Sequence, residues 1–165
     1  MIIGFLDEAS SQTKTNPRVW SFHKPTLIRN TSGPRINVYG FYTLNGHSVV
    51  DFKEDGKTPC FLSFMETIRE ANPYRRILVI LDNYKPHKTD EAMAKAKELG
   101  IILLHIPPYS PHLNPIEQIW RALKRRLPLL FRLTTEELKS AIRQIYRMLS
   151  ARKSFGENWI STYAN

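Results

Sequence analysis

The stretch 75–108, RRILVILDNYKPHKTDEAMAKAKELGIILLHIPP, decides the fold. It holds two continuous apolar runs, ILVIL from Ile77 and IILL from Ile101, on either side of a segment with helical spacing that closes at Gly100. Short unbroken apolar runs suit strands covered on both faces, and a helix between two of them returns the chain to a parallel neighbour. The first run meets Asp82 and Asn83. Asp-Asn is common turn chemistry, so Asp82 is either a strand terminator or a carboxylate presented by a buried strand. In an open α/β sheet the ligand crevice lies beyond the carboxyl ends of parallel strands, and the partners of Asp82 must decide between the two.

Toward the N-terminus the chain reads as strands: MIIGFLDE, RINVYGFYTL and HSVVDFK, the last two joined by Asn45-Gly46, a two-residue hairpin signal. Between the first two, residues 11–34 are polar and contain Pro17, Pro25 and Pro34, which predicts a long connection that Trp20 pins down. Thr58 and Pro59 open a helix with Phe61, Met65 and Ile68 at helical spacing. On the C-terminal side, Asn114-Pro115 reads as an N-cap followed by proline at the first helical position of NPIEQIWRALKRRL. A last helix, over 135–149, carries Leu138, Ile142, Ile145 and Leu149 on one stripe. Three strands, a helix, then strand-helix-strand-helix is the order of a ribonuclease-H-like core. The expected class is α/β, with a mixed five-stranded sheet flanked by helices in one domain over 1–165.

Composition narrows the partners. The 165 residues are 42% hydrophobic, and no apolar run approaches the roughly 18 residues that would span a bilayer. The opening MIIGFLDEAS meets Asp7 and Glu8 before a signal-peptide core could form, so an intracellular location is expected, cytoplasmic or nucleoid in a prokaryote. Cys60 is the single cysteine, which excludes a disulfide framework or a thiolate zinc site and predicts a buried thiol. A formal net charge of +9, concentrated in RALKRRL and beyond, argues for a polyanionic partner.

Alternation on the first strand sets Asp7 on the same face as Ile3 and Phe5. If that strand pairs beside Leu78–Leu81, Asp7 and Asp82 meet, and two adjacent anions in a partly dry crevice call for a hard cation such as Mg²⁺. Glu117, in the first turn of the helix after Pro115, is a third acid within reach. Asn114-x-x-Glu117 also reads as a capping box, in which Glu117 only satisfies a backbone donor.

LDN with His87 following, then IPPYSPHLNPIEQIW ending in a basic helix, resembles the catalytic domain of mariner-like DDE transposases and their bacterial and archaeal insertion-sequence relatives. Between Asp82 and Glu117 lie 34 residues, as in the family's D-34-E arrangement, and FLDEAS with RVW resembles its first-aspartate region. The resemblance covers essentially the whole chain. It implies that Asp7, Asp82 and Glu117 are the catalytic, metal-binding triad, with Asn83, His87 and Asn114 as accompanying motif positions. It further implies two Mg²⁺ ions per site, with Mn²⁺ substituting, and cleavage of double-stranded DNA at element ends followed by attack of the released 3′-hydroxyl on target DNA. A homodimer in the DNA complex is left open, and no membrane is involved. His112 stands where many relatives carry Asp, and Tyr84 is bulkier than the usual residue. Met1 lies six residues before Asp7, so the family's N-terminal helix-turn-helix DNA-binding region is expected to be absent.

Other readings remain beside this one. Glu8 and Asp51 rival Asp7 as the first ligand, although Glu8 faces away from Asp7 in a regular strand. His87, His105 and His112 have no zinc spacing and read as satisfied structural histidines. Trp120 fits core packing better than base stacking. Arg121, Lys124, Arg125 and Arg126 are either a solvated helix face or DNA-backbone contacts, which position DNA without reading its sequence. A stand-alone nuclease and a non-catalytic DNA-binding remnant are the alternative functions.

Overall fold

A computed structural model describes residues 1–12, 34–108, 110–127 and 133–163. The elements run β1 (Ile2–Gln12), β2 (Arg35–Thr43), β3 (Val49–Lys53), α1 (Thr58–Ala71), β4 (Ile77–Leu81), α2 (Asp90–Glu98), β5 (Ile101–His105), α3 (Ile116–Arg126), α4 (Thr135–Ser150) and α5 (Ser154–Tyr163), with single 3₁₀ turns at Lys85–Lys88 and Pro111–Leu113. The sheet order is β3-β2-β1-β4-β5. β1 pairs antiparallel with β2 and parallel with β4, β2 pairs antiparallel with β3, and β4 pairs parallel with β5. The mixed five-stranded, ribonuclease-H-like sheet expected from the sequence is therefore the observed one.

Alternation on the strands sorts the core into two layers. Ile2 and Leu6 of β1 and Ile77, Val79 and Leu81 of β4 face Phe61, Phe64, Met65 and Ile68 of α1 and Ala92 and Ala96 of α2. Phe5, Ala9 and Ile80 face the other way, onto Ile116, Ile119, Trp120 and Leu123 of α3 and Leu138, Ile142, Tyr146 and Leu149 of α4. Burying either set against a helix stripe is what holds the layers together, at about 25 cal/mol per Å² of apolar surface. α2 starts on a Thr89 side-chain cap, and α4 on a Thr134–Glu137 capping box. Gly100 ends α2 with φ +64°, a left-handed conformation that glycine adopts without strain.

The β1–β4 ladder is short. It pairs Ile2 with Ile77 through to Phe5 with Ile80, whereas β1 stays paired with β2 as far as Gln12. Beyond Phe5, β1 therefore leaves β4 behind, and a cleft opens at the carboxyl end of β4.

The structure departs from the sequence reading in five places. Asn45-Gly46 is not a two-residue turn: Phe41 pairs with Val49, and the loop is held by side chains, with Ile3 N donating to Asn45 Oδ1 (2.9 Å) and His47 N to Asn72 Oδ1 (2.8 Å). β5 is not covered on both faces, since it is a sheet edge and its Ile102 and Leu104 are 47% and 50% exposed. The reason is that α3 and α4 pack over β1, β2 and β3, while among the described helices α2 is the one packed chiefly on β5. Cys60 is partly rather than fully buried. The capping box at Asn114 does not form, as described below. α5 is an element the sequence pattern did not announce. The connection expected over 11–34, with Trp20, lies outside the described residues from 13 to 33, while Ser11 and Gln12 end β1. No described helix is long and apolar enough to cross a membrane.

Candidate active site

Extending the parallel register of β1 and β4 by two residues beyond Phe5–Ile80 brings Asp7 level with Asp82. Both lie past the end of the ladder. Glu117 enters from the first turn of α3, and the three acids line one cleft of about 380 Å³ with Asn83, Tyr84, Ile106, Pro107, Pro108, Ser110 and Asn114. The structure thus brings together the three acids singled out in the sequence, along with Asn83 and Asn114. His87 lies behind Asp82 and is fully buried.

Asp7 is held by Trp120, whose indole Nε1 donates to Oδ2 at 3.0 Å. A buried indole N–H needs an acceptor, and Asp7 supplies it across the sheet–helix interface. Space for the ring comes from Gly40, the β2 residue opposite Asp7: a Cβ there would stand 2.6 Å from Trp120 Cη2 and Cζ2. Burial, and then the charges of Glu117, Glu8 and Asp82, push the Asp7 carboxyl well above its ordinary value. Asp7 is a desolvated carboxyl among other acids.

Asp82 is stabilised in the opposite sense. Burial pushes its carboxyl up, but hydrogen bonds from the His87 ring and the Tyr84 amide outweigh this and hold it below the ordinary value. Oδ1 accepts both, from Tyr84 N at 3.0 Å and from His87 Nδ1 at 3.0 Å. The Asp82-Asn83 backbone is fastened to the end of β5: Ile106 N donates to Leu81 O (2.9 Å), His105 Nδ1 to Asp82 O (2.8 Å), and Asn83 Nδ2 to Ile106 O. Asn83 and His105 therefore fix the segment that presents Asp82. His87 Nε2 meets Glu8 Oε1 at 2.7 Å. With carboxylates on both nitrogens the ring donates twice, as an imidazolium; burial lowers its pKa, but the two acids outweigh burial and raise it to about 9.

Glu117 is free of the capping role. The Asn114 side chain turns instead to β1, Nδ2 donating to Leu6 O at 3.1 Å, and the helix begins without a side-chain cap. Asn114 is buried, and its Oδ1 has no partner. The bond pins the start of α3 to the part of β1 that carries Asp7.

The rival acids stand elsewhere. Glu8 is occupied with His87, and Asp51 is paired with Lys53 at 2.8 Å on β3. His112 is exposed, with its ring 6.2 Å from that of Tyr163. Along α3, Arg121, Lys124 and Arg125 follow Glu117 at i+4, i+7 and i+8 and are exposed, forming one stripe that leads away from the cleft. Arg126 turns toward α4, its Nη1 3.8 Å from Met148 Sδ. The sequence reading missed the Trp120–Asp7 bond and the Glu8–His87 pair. Gly40 inside a strand pattern signals close approach of another group, which is the one local hint of the first.

The family described as "DDE superfamily endonuclease" matches residues 3–139. The chain belongs to the DDE superfamily of endonucleases. Among solved structures it is similar to the "Mos1 transposase paired-end complex with left transposon end", with a TM-score of 0.74, 16% identity, and coverage of 95% of this chain and 53% of that one. It is also similar to the "Mos1 mariner paired end complex with Mn" (TM-score 0.70, 16% identity, 95% and 53% coverage). The "Mos1 transposase catalytic domain and Raltegravir with Mg" matches with a TM-score of 0.63 and 13% identity, covering 97% of this chain and 82% of that one. These likenesses show that this DDE-superfamily domain has the fold of a transposase catalytic domain. The chain spans about half the length of the transposase chains in the paired-end complexes. No curated protein matches it in sequence.

Proposed function

We propose that this domain is the catalytic core of a mariner-like DNA transposase, cutting phosphodiesters at element ends and joining the 3′-hydroxyl to target DNA. The observation that carries the proposal is the level placement of Asp7 and Asp82 at the open end of the β1–β4 pair, with Glu117 facing them across one cleft. The family match and the likeness to transposase structures support it.

The donor set suits hard divalent cations, since it consists of carboxylate oxygens with the orphaned amide oxygen of Asn114 beside them. Among the described residues no group of three or more acid, histidine or cysteine side chains stands arranged to hold a metal ion, so the three acids would have to draw together around the ions. Asp7, Asp82 and Glu117 would hold two Mg²⁺ or Mn²⁺ ions, which when bound supply Lewis-acid polarisation of the phosphoryl oxygens and a water of lowered pKa. The chain's own part is geometric. Trp120 orients Asp7, Asn83 and His105 fix the Asp82 segment, and Asn114 seats Glu117. Arg121, Lys124 and Arg125 extend from the cleft as a stripe fitted to a duplex phosphate backbone.

The test is cleavage and joining of a labelled duplex bearing the element's inverted repeat, in Mg²⁺ or Mn²⁺. Wild type should cut and join, and Asp82→Asn should lose both while keeping its far-UV circular dichroism. Wild-type-like cleavage by Asp82→Asn overturns the site. Cutting without joining makes the domain a nuclease, and DNA binding with no cleavage in any metal makes it a non-catalytic remnant.

A further inference from the structure

We infer that Glu8 and His87 are positioning residues for Asp82, acting as a strap that joins β1 to β4 beyond the point where their ladder ends. This rests on the reading of Asp82 as a metal ligand. The ladder stops at Phe5–Ile80, so no backbone pairing fixes the separation of the two strands at the level of Asp7 and Asp82. The only side-chain path across that gap among the described hydrogen bonds is Glu8 Oε1 to His87 Nε2, 2.7 Å, and His87 Nδ1 to Asp82 Oδ1, 3.0 Å. Glu8 is the residue next to Asp7, so the strap ties the strand bearing one aspartate to the carboxylate of the other.

The strap is rigid for local reasons. Pro86 is the second residue of the 3₁₀ turn Lys85–Lys88, and His87 N donates to Tyr84 O at 3.0 Å. The imidazole is fully buried, with the Phe61 ring 4.4 Å away and the Tyr84 ring 5.5 Å away at 82°. Since Oδ1 of Asp82 is taken by His87 and by the Tyr84 amide, Oδ2 is the oxygen left for the cleft. Carboxylates that bind metals are commonly oriented in this way by groups behind them, and loss of such a partner costs about 10- to 100-fold in metal affinity.

Two substitutions at one position separate orientation from mere packing. His87→Asn keeps an N–H donor near the place of Nδ1, facing Asp82, and gives up the Glu8 interaction. His87→Gln keeps a donor near the place of Nε2, facing Glu8, and releases Asp82. Mn²⁺ binding to the full chain is measured by calorimetry, alongside the melting temperature without metal, for both variants and for Glu8→Ala. The expected result is Mn²⁺ affinity close to wild type in His87→Asn but about 10- to 100-fold weaker in His87→Gln, even though both variants melt lower. Glu8→Ala, which likewise gives up the tie to β1 but keeps the imidazole on Asp82, should bind as His87→Asn does. Equal affinity in the two His87 variants, or affinity that simply follows melting temperature, overturns the inference while leaving the site reading intact. Failure of wild type itself to bind Mn²⁺ overturns both.

Discussion

Asp7 illustrates how a site can work against the fold that holds it. Its carboxyl is raised above the ordinary 3.8 by burial and by Glu117, Glu8 and Asp82. A group whose folded pKa is raised adds most to stability below the unfolded value, and that contribution is lost as pH climbs above it. Metal-free protein at neutral pH therefore carries a penalty for holding Asp7 buried beside three other acids. Asp7→Asn keeps an oxygen for Trp120 Nε1 and removes the charge, so it should melt higher than wild type in EDTA at pH 7, with the difference shrinking as pH falls toward 4; thermal melts across that range check it. Gly40→Ala should do the reverse, forcing the buried Trp120 ring aside at a cost of about 1–3 kcal/mol, measurable by urea denaturation. At this scale the sequence disclosed the acids, because strand ends and the 34-residue spacing are local facts. It could not disclose Trp120 Nε1 on Asp7 or Glu8 on His87, since those depend on the register that sets Asp7 against Gly40 and on partners 113 and 79 residues away.

Among the elements, α3 does two jobs with two faces. Ile116, Ile119, Trp120 and Leu123 are buried in the core, while Glu117, Arg121, Lys124 and Arg125 look outward. Neutralising Lys124 or Arg125 should weaken duplex binding about evenly over sequences and lower the salt slope by about 1 for each phosphate left without its cation, read by anisotropy titrations at several KCl concentrations. At the opposite end of the sheet, Arg69 of α1 collects carbonyls from three segments: Leu99 O at 2.7 Å, Asn72 O at 2.8 Å, Arg75 O at 2.9 Å and Gly100 O at 3.2 Å. Arg69→Met should cost about 1.5–3 kcal/mol, the range for hydrogen bonds to a charged group, as a lower urea midpoint. β4, α2 and β5 were legible because pattern and punctuation agree along 75–108. α5 was not: SFGENWISTY mixes glycine with β-branched and aromatic residues of modest helix propensity, and its helix is held by tertiary contacts such as Trp159 Nε1 to Leu113 O at 2.8 Å. Asn45-Gly46 misled because the Asn45 side chain serves Ile3 N and Met1 O instead of a tight turn.

For the molecule as a whole, a chain of net charge +9 sets three of its acids, Asp7, Asp82 and Glu117, in one cleft. Field and site differ in sign: the excess positive charge lies along α3 and beyond, while the cleft is lined by three acids. The fold class could be read from element order, since a right-handed crossover between parallel strands leaves few topologies open. The covering of β5 could not, because which strand ends at the edge depends on how the later helices distribute over the sheet. The splayed end of the β1–β4 pair has a temporal side as well. β1, β2 and β3 form a meander of neighbours, but Asp82 joins Asp7 only by a parallel pairing about 75 residues long in sequence, and Glu117 comes later still. Distant pairings close slowly. Refolding followed by Mn²⁺ binding should then lag behind the far-UV signal, and simultaneous recovery would contradict that order. A nascent chain, by the same geometry, can show a ribosome β1, β2 and β3 without the cleft: the three acids face one another only once α3 has emerged and docked.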